Sequence, residues 1–178
     1  MSSYRHVGPT VMLLLAVVLA SCGGGAPGEE DGTVEPSPVP DFTALECGQP
    51  FSSPGARGLT LTGRFPTTVP AGADKLAGTV EVTSQEPIKG VASRPFMFLV
   101  RDGRIVALLG AHDLAGFLVD LGPGKEAASL PGVLVLASCD GTGGVRPGTY
   151  ELYARVGFNR HDAAGMEGFG GPWPLEVT

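Results

Sequence analysis

Few residues in this 178-residue chain have the type and spacing that chemistry requires. Its cysteines are Cys22, Cys47 and Cys139, and its histidines are His6, His112 and His161. A thiolate is a strong nucleophile and a metal ligand, and an imidazole beside a carboxylate can serve as a general base or hold zinc. His112 is followed by Asp113, and Asn159-Arg160 leads into His161-Asp162. Neither pair has a partner at His-x-x-x-His or Cys-x-x-Cys spacing, and no serine lies in a Gly-x-Ser-x-Gly elbow. Gly141-Thr142-Gly143-Gly144 precedes no helical pattern that could complete a phosphate loop, and it reads as a turn. The His-Asp pairs read as polar loop residues at strand ends, where Asp and Asn favour turns. The expectation is no catalytic residue, no metal and no cofactor.

Cys22 has the most informative surroundings. Arg5 and His6 make a short basic start, residues 11–19 (VMLLLAVVL) are wholly apolar, and the small residues Ala20 and Ser21 follow. That order is the pattern of an export signal. A spanning helix needs ~20 apolar residues, about twice what this run supplies. Leu19-Ala20-Ser21-Cys22 resembles the bacterial lipobox at every position. The resemblance implies that residues 1–21 are a lipoprotein signal peptide cut before Cys22. It also implies a diacylglyceryl group on the Cys22 sulfur and a chain held at the cell membrane on its extracytoplasmic face. Stable anchoring takes about two acyl chains at ~0.8 kcal/mol per buried methylene, and a diacylglyceryl group supplies two.

Residues 22–41 follow as a linker. Its residues 23–41, GGGAPGEEDGTVEPSPVPD, have almost no large apolar side chain and cannot bury enough surface to order themselves. Its Gly-rich part is flexible, its Pro-rich part extended, and its reach is roughly 25–55 Å. The whole chain carries 12 basic and 18 acidic residues, a net charge of −6, with no Lys/Arg run. That balance argues against nucleic acid as the partner.

If Cys22 carries lipid, Cys47 and Cys139 remain as an even pair in a compartment that permits disulfides. They are expected to bond, closing a long loop worth ~4.5 kcal/mol in the chain-entropy treatment. The alternative is two free buried thiols.

Residues 42–178 have the size of one domain and a β pattern. Leu59-Thr60-Leu61-Thr62 alternates apolar with polar, and so do residues 76–83, 117–121 and 150–158. Asp102-Gly103 sits between two apolar runs, a strong signal for a type I′ hairpin. Gly122-Pro123-Gly124 and Leu130-Pro131-Gly132 read as turns, with a strand over 133–138. No segment has a convincing helical period. Arg146-Pro147-Gly148-Thr149-Tyr150 resembles the lead into a late strand of immunoglobulin-like domains in bacterial surface proteins. The resemblance implies that Tyr150 is a structural tyrosine bonding back across a corner. Seven or eight short strands with turns every 8–12 residues predict an immunoglobulin-like antiparallel β-sandwich, with a small barrel as the alternative.

Residues 159–173 (NRHDAAGMEGFGGPW) are expected as a long loop between the last two strands. Its Asn159, Arg160, His161, Met166, Phe169 and Trp173 form a possible binding loop, because aromatics on loops of a stiff scaffold recognise partners. Alternatively Phe169 and Trp173 fold back over the open end of the core. The functional expectation is a monomeric, non-enzymatic envelope module that binds a protein or polymer or plays a structural part. Residues 96–156 also resemble the proteinase-inhibitor sandwich of bacilli in their Asp-Gly hairpin, Gly-Pro-Gly turn and Pro-Gly-x-Tyr turn, which implies protease inhibition as an alternative. A hydrolase using His112 or His161 is a third.

Overall fold

The computed structural model describes residues 45–55, 58–108, 116–160 and 165–178. The leader, Cys22, the linker and both His-Asp pairs lie outside those residues. Among the described residues the chain is all-β, with no helix. Its strands are β1 (Leu59–Arg64), β2 (Thr68–Val69), β3 (Lys75–Ser84), β4 (Ile88–Ser93), β5 (Phe96–Arg101), β6 (Arg104–Leu108), β7 (Gly116–Leu121), β8 (Ala128–Val135), β9 (Gly148–Arg160) and β10 (Met166–Val177).

Two sheets result. The smaller runs β1-β3-β8 and is antiparallel throughout. In the larger, β9 pairs with β10 on one side, and β10 pairs in parallel with β2. On its other side β9 meets two strands in series: β5 along residues 151–155 and β4 along residues 158–160. β6 lies outside β5 and β7 outside β4. Between β4 and β5 the ladder breaks at Arg94-Pro95, and Ser93 Oγ accepts the Gly157 N–H at 2.9 Å, so that donor keeps a partner. The β5–β6 hairpin turns on Asp102 (φ 52°) and Gly103 (φ 72°), the two positive φ values of a type I′ turn.

Period-2 alternation puts one face of each sheet into a shared core. Leu59, Leu76, Val80, Val82, Leu130 and Leu134 of the smaller sheet join Met97, Leu99, Leu152, Ala154 and Val156 of the larger, each at most 1% exposed. Burying each of the Val, Leu and Met side chains among them contributes about 1.5–3 kcal/mol. β5 is apolar on both faces, and its other face makes a second cluster. Phe98, Val100, Ile105 and Tyr153 are buried on the outside of the larger sheet beneath Leu45, Phe51, Phe96 and Leu108.

That outer cluster explains the course of the N-terminal segment. Residues 48–51 run along β6, with Gly48 N–H donating to Ile105 O (2.8 Å), Ile105 N–H to Gln49 O (3.0 Å) and Phe51 N–H to Gly103 O (2.8 Å). The Phe51 ring stands edge-on to Phe98 and Tyr153, with centroids 4.8 Å from each. Cys47 is bonded to Cys139, the expected pair, and Cys139 N–H donates to Val106 O on the same strand, β6.

Three local expectations need correction. Leu130-Pro131-Gly132 is not a turn but lies inside β8, where Pro131 is tolerated because β8 is an edge strand of the smaller sheet. Gly132 is there because Phe65 and Met97 occupy the space above it. The strand expected over 133–138 therefore ends at Val135. Residues 159–173 are mostly strand rather than loop: β9 continues to Arg160, and β10 begins at Met166. The glycines that suggest a loop are close-approach positions, since a Cβ at Gly168 or Gly170 would strike Leu61 on the facing sheet. The ladder shifts register between Gly170 and Trp173, around the cis Gly171-Pro172 peptide.

Candidate functional site

The β9–β10 hairpin distributes the proposed loop residues instead of gathering them. Met166 and Trp173 pack on the main core. Trp173 stacks on Phe65 (5.6 Å, 28°), and both rings fill room left by glycines, Gly63 beneath the indole and Gly78 with Gly132 beneath Phe65. Phe169 points to the other face, with its ring centroid 6.5 Å from that of Phe51. Asn159 is exposed and Arg160 half-buried, both paired with β4, while His161 lies outside the described residues.

A different group of side chains converges where β5 ends and β9 begins. Tyr150 is 4% exposed, yet its hydroxyl is fully engaged: Oη donates to Arg146 O at 2.6 Å and accepts from Arg101 Nη1 at 3.3 Å. The Arg101 guanidinium lies over the Tyr150 ring, 5.4 Å from its centroid, a cation–π arrangement. Gly148 makes this possible twice over. Its φ of 147° is one that side chains avoid, and a Cβ there would sit 3.0 Å from Arg101 Nη1.

Two clefts flank this stacked pair. One, about 140 Å³, is lined by Arg101, Val106, Ser138, Asp140, Val145, Arg146 and Tyr150. The other, about 530 Å³, opens along the hairpin turn beside Asp102, Gly103, Thr149 and Glu151. The wall carrying Ser138 and Asp140 is a small hairpin, closed by Val145 N–H to Leu136 O (3.0 Å) and Ser138 N–H to Gly143 O (2.8 Å). Asp140 shapes its tip by accepting from Thr142 Oγ1 (2.6 Å) and Thr142 N–H (3.0 Å), and Arg146 Nη2 reaches its other oxygen at 3.3 Å. The Thr142 hydroxyl, then its N–H, hold the Asp140 carboxyl down to a pKa of about 2. On the opposite face of β9, burial and then the hydrogen bond Tyr153 donates to Glu151 (3.0 Å) push the Tyr153 phenol up to about 12.

Neither Arg101 nor Arg146 stands out in the sequence. The one available signal is an arginine closing an apolar strand immediately before an Asp-Gly turn, and a second arginine immediately before Pro-Gly-Thr-Tyr. Among the described residues no group of three or more His, Cys, Asp or Glu side chains could hold a metal ion.

No family model and no curated protein matches this chain. Among solved structures it is similar to the crystal structure of Spo0M, a sporulation control protein from Bacillus subtilis, with 15% identity and a TM-score of 0.35 over 69% of this chain and 49% of that one. The chain thus spans about half the length of that protein, and a likeness at this level carries no functional argument.

Proposed function

We propose that this chain is an exported lipoprotein whose immunoglobulin-like sandwich serves as a binding or structural module of the cell envelope, without catalytic activity. The observation that carries the reading is the Cys47–Cys139 bond. Disulfides persist in oxidising compartments outside the cytosol, where the leader and Leu19-Ala20-Ser21-Cys22 would deliver the domain. Support for an immunoglobulin-like arrangement comes from the strand order. β1 joins β3 and β8 in one sheet, β2 lies parallel to β10 in the other, and a tyrosine at the start of β9 bonds back four residues. Diacylglyceryl on Cys22 would fix the chain to the membrane, and the acidic linker would hold the sandwich clear of it.

Intact-mass analysis of protein extracted from membranes tests this. The expected species begins at Cys22 and carries the mass of a diacylglyceryl group, and Cys22→Ser blocks both processing and lipid. A chain that retains residues 1–21, or one cut there with an unmodified thiol, overturns the proposal.

A further inference from the structure

We propose that the 140 Å³ cleft beside the Arg101–Tyr150 stack is a seat for a single carboxylate group, held between Arg101 and Arg146. The inference rests on the reading of this chain as a binding module and names the ligand chemistry that such a module would recognise.

The chain is acidic overall, yet two guanidinium groups line this one small cleft and meet a single carboxylate there, that of Asp140. Asp140 is already committed, with one oxygen on Thr142 and the other on Arg146. The partners of Arg101 are a neutral phenol, through Nη1, and Asp102, at 3.9 Å and largely in solvent. A guanidinium has five N–H donors, so Arg101, which lines the cleft, keeps donors beyond those two contacts.

The cleft is also preorganised. A long exposed arginine ordinarily loses rotamer freedom when it grips a ligand. Arg101 is already restrained by the Tyr150 ring beneath it, the Tyr150 hydroxyl on Nη1 and the bare backbone of Gly148 alongside. Arg146 is restrained through Asp140, and its own carbonyl is fastened by the Tyr150 hydroxyl. One buried tyrosine therefore holds the Arg101 side chain and the Arg146 backbone, while Asp140 holds the Arg146 side chain. Val106 and Val145 supply the apolar part of the cleft's lining.

The cleft also selects among anions. A guanidinium fork matches a planar carboxylate with two parallel N–H···O bonds. The surroundings disfavour a dianion, because Asp140 lines the seat itself while Asp102 and Glu151 line the neighbouring cleft. A small planar monoanion suits this field better than phosphate.

The test is a titration of the full-length protein in detergent micelles at pH 7, read by NMR on the arginine Nε–H resonances. The probe is sodium acetate, with sodium chloride as the ionic-strength control. Acetate should shift Arg101 and Arg146 Nε–H saturably, with a dissociation constant in the millimolar range expected for so small a ligand. Arg101→Gln should weaken binding at least about tenfold, the scale of one lost charge-assisted fork, while Arg101→Lys retains part of it. Arg146→Gln guards against misfolding of the first variant, since it leaves the Tyr150 stack intact and should also weaken acetate. The proposal is overturned if chloride produces the same shifts, if phosphate binds more tightly than acetate, or if folded Arg101→Gln and Arg146→Gln proteins bind acetate unchanged. Because the readout does not depend on acylation, failure here is distinguishable from failure of the lipoprotein reading.

Discussion

Replacing Cys47 and Cys139 by serine removes a cross-link that closes 92 residues. In the chain-entropy treatment, a loop of that length restrains the unfolded chain by about 16 cal/mol/K, or about 4.6 kcal/mol at 25 °C. Domains of this size are stable by about 5–15 kcal/mol, so the loss is a large share of the total. The folded state changes less than the number implies, because residues 48–51 keep their hydrogen bonds to β6 and Phe51 keeps its place between Phe98 and Tyr153. Urea denaturation followed by Trp173 fluorescence should therefore give a lower midpoint with a folded baseline close to that of the parent. A midpoint shift worth less than ~1 kcal/mol would refute the reasoning, as it would mean that the unfolded chain is barely restrained by the bond. Reduction of the parent protein should reproduce the double variant.

Trp173→Ala should cost about 2–3 kcal/mol in the same assay, below the ~3–5 kcal/mol of a fully buried tryptophan because Trp173 is only partly buried; a loss under ~0.5 kcal/mol would return Trp173 to the surface as a recognition residue. Gly63→Ala places a Cβ into that indole and should cost about 1–3 kcal/mol, whereas in a Trp173→Ala background most of the penalty should vanish, a coupling that a double-mutant cycle measures directly. The stability of the Asp140 hairpin should depend on pH. Its carboxyl titrates lower in the folded state than the ~3.9 of a free aspartate, so its contribution is present above ~4 and is lost as pH falls through about 2. The Thr142 amide resonance should move with a midpoint near that lower value, and Asp140→Asn should abolish the transition. Tyr150→Phe keeps the ring under Arg101 but removes the hydroxyl bonds to Arg146 O and Arg101 Nη1, so it should cost about 1–2 kcal/mol of stability, measured by urea midpoint.

The all-β class, the Asp102-Gly103 hairpin and the Cys47–Cys139 pairing were legible because each depends on local pattern or simple parity. Period-2 alternation places Leu59 and Leu61 on one face whatever they pack against. The start of β10 was illegible for the opposite reason. Gly168 and Gly170 carry no side chain to alternate, and what selects them is Leu61, more than 100 residues earlier in the chain. Pro131 misled similarly, because a proline is admissible in a strand only when that strand lies at a sheet edge, and edge position is a property of topology. β2 has two residues, too few for any period. The arginine cleft was hidden because Arg101 and Arg146 are brought together by the pairing of β5 with β9, a contact between segments that no spacing rule connects.

The position of the disulfide also governs how the domain would bear mechanical load. A pull arriving from the N-terminal side enters at Cys47 and passes through the sulfur bridge to Cys139, so it never travels along the intervening chain. β1 through β8 all lie inside that covalent bypass. Tension between the two ends can unravel only the portion after Cys139, at ~3.5 Å per residue, and the first element it strips is the β9–β10 pair. Cutting the bridge would lengthen the extensible chain more than threefold, turning a short, stiff attachment into a long, compliant one.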